Sequence, residues 1–255
     1  MLKAGIFLDM ENLSRCGGYA LRYRAVRGLV EAQGFTVLRS NAYMAVDALR
    51  EGQDAEYQQK KEDYRERVRN EGFRLVTREY RYYRDFEGRE VAQLNANLEL
   101  AVDAMQQAAN LDYILLGSGD GDLVGLMRAL AGRGLRVDLL SFSHTAPDLR
   151  QTADRCFSGY LFPGILPTER ERQRGVMHAV NVEKGYGFLT VQTGFGPEET
   201  RNDIFLHIND FRLADGSHPE NDDFADLKNR AVIEFNLIAD EEGRAKAVNA
   251  SELQV

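Results

Sequence analysis

Two cysteines in 255 residues, Cys16 and Cys156, stand too far apart to suggest a disulfide framework. With four scattered histidines they form no zinc-ligand spacing, and they read as reduced thiols of a cytoplasmic protein. No apolar run approaches the ~20 residues that a membrane-spanning helix needs. The opening residues Met1-Leu2-Lys3-Ala4 lack the pattern of a secretory signal. Positive charge is also in short supply: 32 Lys and Arg face 40 Asp and Glu, a net charge of −8. That balance argues against a protein that coats DNA nonspecifically, but an acidic metal site on a nucleic-acid enzyme would itself add negative charge. No Gly-Lys-Ser/Thr follows a predicted strand, which sets aside a kinase-like phosphate loop. There is no internal repeat. The 44% hydrophobic share suffices to bury the core of one large domain or two ordinary ones.

Strand-like and helical segments alternate over the first 160 residues or so, with glycines at the stops. Strands are predicted at 3–8, 35–43, 73–80, 112–116 and 135–140, and helices at 21–33, 93–109, 122–133 and 147–153. A glycine-containing loop follows the first strand, and the charged stretch 54–70 predicts a long exposed helix with a solvated face. Such alternation implies an α/β fold, a parallel sheet with crossover helices. The texture changes at Pro163-Gly164-Ile165-Leu166-Pro167, where residues 163–174 read as a linker between a domain at 1–162 and another at 175–255. Five short strand-like pieces in the second domain predict a small barrel of the oligonucleotide-binding type.

Acidic residues gather at two predicted strand ends. Asp9 and Asn12 follow the first strand, and Asp120 and Asp122 lie in the turn Gly117-Ser118-Gly119-Asp120-Gly121-Asp122 after the strand ending at Leu116. In a parallel sheet both ends emerge at the carboxyl edge, where such folds place their ligand crevice. Glu99 and Asp103 share one face of the 93–109 helix, with Asn97 a turn earlier. Taken singly, these residues serve equally well as turn formers and helix caps. Taken together they suit Mg²⁺ or Mn²⁺, bound by a few carboxylates plus water and able to activate water against a phosphodiester. Basic residues cluster locally at Arg15, Arg22, Arg24 and Arg27, and again at Arg74, Arg78, Arg81 and Arg84. The second set is interleaved with Tyr80, Tyr82, Tyr83 and Phe86. Charge with stackable rings suits a single-strand groove, and arginines equally protect an edge strand.

The pieces Phe7-Leu8-Asp9-Met10-Glu11-Asn12-Leu13, Leu98-Glu99-Leu100-Ala101-Val102-Asp103-Ala104-Met105 and Ser118-Gly119-Asp120-Gly121-Asp122-Leu123 resemble, in this order, the NYN domain family. That family is a branch of the PIN-like nucleases that includes the LabA-like bacterial proteins. The resemblance implies a parallel-sheet, Rossmann-like domain and a metal-dependent ribonuclease with an acidic pocket. It carries over Asp9, Asn12, Asp120 and Asp122, with Asp9, Asp120 and Asp122 as metal-holding residues and Asn97 and Asp103 completing the pocket. Asn97 stands where the family usually has an aspartate, and no lysine is nearby. An amide can ligate through its oxygen but brings no charge and cannot act as a base. A weakened ribonuclease and a noncatalytic RNA-binding protein that keeps the nuclease fold both remain open.

The second domain reads Gly175-Val176-Met177-His178-Ala179-Val180-Asn181-Val182-Glu183-Lys184-Gly185-Tyr186-Gly187-Phe188-Leu189, followed later by Asp203-Ile204-Phe205-Leu206-His207. These segments resemble the two nucleic-acid-binding motifs of a cold-shock domain. The resemblance and the strand alternation together put Tyr186, Phe188, Phe205 and His207 on one face for unpaired bases, with Lys184 at a phosphate. The family's tryptophan falls at Ala179, and its neighbouring lysine and phenylalanine become His178 and Val180. Residues 170–255 hold 10 Lys and Arg against 16 Asp and Glu, which lowers the expected affinity. The expected partner is single-stranded RNA.

Overall fold

The run Ala4-Gly5-Ile6-Phe7-Leu8 is apolar on both faces, which suits a strand covered from both sides, and it lies inside a six-stranded parallel sheet. The computed structural model describes residues 1–84, 90–93, 96–167, 172–228, 231–239 and 242–253, with backbone alone at 81–84 and 90–93. By their contacts the described residues divide into two units, Met1–Ser158 and Gly159–Val255.

The first unit runs β1 (Lys3–Asp9), α1 (Met10–Arg15), α2 (Tyr23–Ala32), β2 (Thr36–Val46), α3 (Ala48–Gln53), α4 (Ala55–Asn70) and β3 (Arg74–Glu79). It continues through β4 (Arg81–Arg84), β5 (Glu90–Gln93), α5 (Asn97–Gln107), β6 (Tyr113–Gly117), α6 (Val124–Ala131), β7 (Arg136–Ser141), α7 (Pro147–Thr152) and β8 (Arg155–Ser158). The sheet order is β3-β2-β1-β6-β7-β8, and every pair is parallel. Phe7, Leu100, Ala104, Ile114, Leu116, Met127 and Leu139 are buried together, joining α5 and α6 to one face of the sheet. Each fully buried Leu or Phe of this kind contributes about 1.5–3 kcal/mol.

Local chemistry moves several boundaries from those the sequence suggests. Asp9 caps its own successor helix by accepting from the Asn12 N–H at 3.1 Å, so α1 starts at once and Asn12 sits on a helix rather than in a loop. The helix expected from residue 93 begins at Asn97, because residues 90–93 pair antiparallel with β4. Arg81, Tyr82, Tyr83 and Arg84 make up β4, but these four side chains, and Phe86, lie outside the described residues. Helix α4 is charged and largely exposed, yet it is anchored. Val68 is buried, Arg65 is held between Glu51 and Glu62, and Tyr64 meets Tyr23 oxygen to oxygen at 2.6 Å.

The second unit is a closed barrel with five main strands. Its elements are β9 (Arg172–Asn181), β10 (Tyr186–Gln192), β11 (Thr200–His207), the short β12 (Phe211–Arg212), α8 (Asn221–Asp226), β13 (Val232–Ala239) and β14 (Ala245–Glu252). Hydrogen bonding runs β11-β10-β9-β13-β14-β12, and a parallel β11–β14 contact closes the ring. Residues of β10 alternate in burial: Gly187, Leu189 and Val191 point in, Tyr186, Phe188, Thr190 and Gln192 out. Met177, Leu189, Ile204, Leu206, Phe211, Phe224 and Phe235 fill the interior. Gly187 is required by close approach, since a Cβ there would stand 2.7 Å from the Ala179 carbonyl oxygen. No helix among the described residues is long and apolar enough to cross a membrane.

Candidate active site and nucleic-acid face

Strands β1 and β6 are neighbours, with Leu8 opposite Gly117, but the chain leaves them in opposite directions. From β1 it builds outward to β2 and β3, and from β6 to β7 and β8. This is the topological switch point of an open parallel sheet, where the loops diverge and leave a crevice. Asp9 ends β1, and the Ser118–Asp120 turn follows β6.

A chain of hydrogen bonds crosses that crevice. The Ser118 hydroxyl donates to Asp9 Oδ2 at 3.0 Å and accepts from the Asp120 N–H at 3.1 Å. Asn97, at the start of α5, donates its amide to Asp120 Oδ2 at 2.8 Å, while Asp120 Oδ1 accepts from the Asp122 N–H at 3.0 Å. Asn12 Oδ1 accepts from the Gly119 N–H at 2.6 Å, tying α1 to the turn. Gly119 has little room for a side chain, because a Cβ would sit 3.3 Å from both the His144 carbonyl oxygen and Thr145 Cα. The Ala146 N–H donates to the Gly119 carbonyl at 2.9 Å, so the loop after β7 braces the turn from the far side.

Of the six residues expected in the pocket, Asp9, Asn12, Asn97 and Asp120 converge in this network. Asp122 is exposed and joins it through its backbone N–H. Asp103 accepts from the Tyr43 hydroxyl at 2.9 Å, and Tyr43 lies beside Asp9 in the β1–β2 register. Glu99, on the same helix, forms an ion pair with Arg78 of β3. The roles of Ser118 and Tyr43 escaped the sequence reading. Ser118 had a signal, a serine two residues before an aspartate in a turn. Tyr43 had none, because its partner is 60 residues away.

Asp9 is 6% exposed. Burial pushes its carboxyl above the ordinary aspartate value; the bonds from Asn12 and Ser118 pull the other way, the Asp120 charge adds to the rise, and Arg15 opposes it. A desolvated carboxylate facing a second one is a place where a cation lowers the energy. Among the described residues no three Asp, Glu, His or Cys groups stand together as a metal cage. A hard ion that keeps most of its water needs only one or two carboxylates, which Asp9 and Asp120 would supply.

On the barrel, Tyr186 pairs with His207 and Phe188 with Phe205 across β10 and β11. Ring centroids lie 5.5 Å apart for Tyr186–Phe205, 5.9 Å for Phe188–Phe205 and 6.4 Å for Phe205–His207. These four side chains form one half-exposed cluster on the outer face. Lys184 is exposed in the β9–β10 hairpin, its N–H donating to Asn181 Oδ1 at 3.0 Å.

The first unit is thus a parallel sheet with a braced acidic turn at its switch point, and its family match indicates a PIN-like, nuclease-type fold. Residues 3–162 match the NYN domain family, and the chain belongs to it. Among solved structures it is similar to a protein of unknown function from Vibrio parahaemolyticus RIMD 2210633. That likeness has 22% identity and a TM-score of 0.49, over 61% of this chain and 91% of that one. No curated protein matches. The closed five-stranded barrel that follows is consistent with an oligonucleotide-binding-type domain.

Proposed function

We propose that this chain is a cytoplasmic, Mg²⁺- or Mn²⁺-dependent ribonuclease for single-stranded RNA, with the NYN unit cutting and the barrel holding the strand. One observation carries the reading: the buried Asp9 carboxylate is coupled through Ser118 to Asp120 at the switch point of the sheet. Asp9 and Asp120 would hold the ion, with Asp122 reaching it through water. When bound, a divalent ion supplies charge neutralisation at a phosphodiester and lowers the pKa of its water. The protein's share is positional. Asn12 fixes the Gly119 backbone, Asn97 fixes Asp120, and Tyr43 holds Asp103 at the crevice wall. On the barrel, bases would stack on Phe188, Phe205, Tyr186 and His207, with Lys184 at a phosphate.

A second reading has its own support. Asn97 occupies Asp120 Oδ2 with its amide N–H, and it brings no charge where the family usually has a carboxylate. A noncatalytic RNA-binding protein would tolerate this arrangement. Hydrolysis of end-labelled single-stranded RNA with Mn²⁺ decides, comparing the parent chain with Asn97→Asp and Asp120→Asn. Cleavage by the parent or by Asn97→Asp that Asp120→Asn abolishes supports the nuclease. An inert Asn97→Asp protein with RNA binding intact supports the second reading.

A further inference from the structure

The second unit contains a cavity of about 340 Å³ between the segment 160–166 and the ends of β9 and β10. Tyr160 and Phe162 supply rings to its wall, and Arg172, Arg174 and Gln192 supply polar groups. Two of the polar atoms lack a hydrogen-bond partner among the described residues. Arg174 Nε donates to Glu234 Oε1 at 3.0 Å, but Arg174 Nη1 is buried with no hydrogen-bond partner, and so is Gln192 Oε1. The Arg174 and Glu234 side chains are only 12% and 20% exposed, so solvent does not readily satisfy them. Orphaned buried polar atoms carry a desolvation penalty that a ligand can relieve. Among the described residues, the Arg172 and Arg174 guanidiniums share the Glu234 carboxylate.

The position of the cavity narrows what it takes. Tyr186, Phe188, Thr190 and Gln192 point outward from one strand. Thr190 lies opposite Val176 and is hydrogen-bonded to His178 at 2.9 Å; two residues further along each strand come Gln192 and Arg174. The outward residues of β10 thus lead from the aromatic cluster to the cavity wall, across register shifts between Phe188 and Val191.

We propose that this cavity is a subsite for one nucleotide unit, continuing the single-strand track of the aromatic face; it rests on the reading of that face as an RNA surface. Gln192 Oε1 seeks an N–H or O–H, as a ring imide or a ribose hydroxyl provides. Arg174 Nη1 seeks a carbonyl or phosphate oxygen. A guanidinium matches a phosphate, and the wall that holds Tyr160 and the Phe162–Phe195 ring pair matches a base.

The test uses the full chain in EDTA, which removes cleavage, with three probes: a labelled octauridine ribonucleotide, uridine 5′-monophosphate, and the octamer carrying 4-thiouridine. Gln192→Leu and Arg174→Lys should each weaken octamer binding about tenfold. The melting temperature of Gln192→Leu should hold, since the lost acceptor had no partner. Thiouridine cross-links should map to Tyr160 or Phe162. Monophosphate binding that Gln192→Leu abolishes identifies a free nucleotide as a sufficient ligand; an effect on the octamer alone identifies a unit within a strand. If both variants bind every probe like the parent and Phe188→Ala alone weakens the octamer, the subsite is refuted and the aromatic face stands. If Gln192→Leu abolishes monophosphate binding while Phe188→Ala changes nothing, the subsite stands and the face is refuted. A parent that binds no probe refutes both.

Discussion

The acidic crevice of the first unit and the outer face of the barrel spend their polar groups in opposite ways. In the crevice Asp9, Asn12, Asn97, Ser118 and Asp120 are joined to one another or to the backbone of the facing loop. On the barrel the rings stand half-exposed, and Arg174 and Gln192 each keep one polar atom with no partner among the described residues. The first arrangement holds charge at a defined place before anything binds, as catalysis requires. The second leaves contacts to be completed by a partner, as recognition requires. Chemistry and grip should therefore be separable by mutation.

The largest effect is expected from Asp120→Asn, which should cut Mn²⁺-dependent cleavage by roughly 10²–10³-fold. Its affinity for RNA in EDTA should stay within about twofold, measured by fluorescence anisotropy. A parallel loss of affinity would erase the division between the two regions. Phe188→Ala or Phe205→Ala should do the reverse. Each removes a stacking platform worth about 1–3 kcal/mol per base, so KM should rise roughly 5- to 150-fold while kcat at saturating RNA holds. Asn97→Asp replaces a bonded amide with a third carboxylate. It should tighten Mn²⁺ binding about tenfold by calorimetry and raise cleavage, and in EDTA it should lower the melting temperature through repulsion.

The smallest effect is on stability. Burial raises the Asp9 carboxyl in the folded chain, so the folded state binds that proton more tightly than the unfolded state does. The associated stability is whole below the ordinary aspartate value of 3.8 and is lost as pH rises through the raised folded value. At neutral pH the buried charge is a net cost. Asp9→Asn should then melt higher than the parent at pH 7, by about 1 kcal/mol or a few degrees, although it loses cleavage. The gap should close in acid and shrink when Mg²⁺ is added to the parent. A parent that melts higher at pH 7 without metal would show that the bonds from Asn12 and Ser118 outweigh burial.

The sheet was legible because its strands are apolar runs punctuated by glycine, and period-two burial in β10 made the aromatic face of the barrel legible too. The ends of Asp9 and Asp120 at one edge followed from parallel topology alone. What stayed hidden depends on distant partners. The pairing of Tyr43 with Asp103, the diversion of Glu99 to Arg78 and the bracing of Gly119 by the loop after β7 each join residues far apart in the chain. The immediate start of α1 was masked by Gly17 and Gly18, which made the whole stretch read as a loop. The cavity beside Arg174 was also out of reach, because residues 160–166 looked like a connector rather than a wall.

The barrel closes through a short parallel contact, with Phe205 and Leu206 opposite Lys246 and Ala247 of β14. That seam gives the two units different birthdays on the ribosome. Every described strand of the acidic unit has been synthesised by Ser158, so its crevice can assemble while the rest of the chain is still being made. The barrel has to wait for β14, and until then the backbone beneath Phe205 lacks its parallel neighbour. During that interval a nascent chain would carry its acidic crevice without a finished aromatic face.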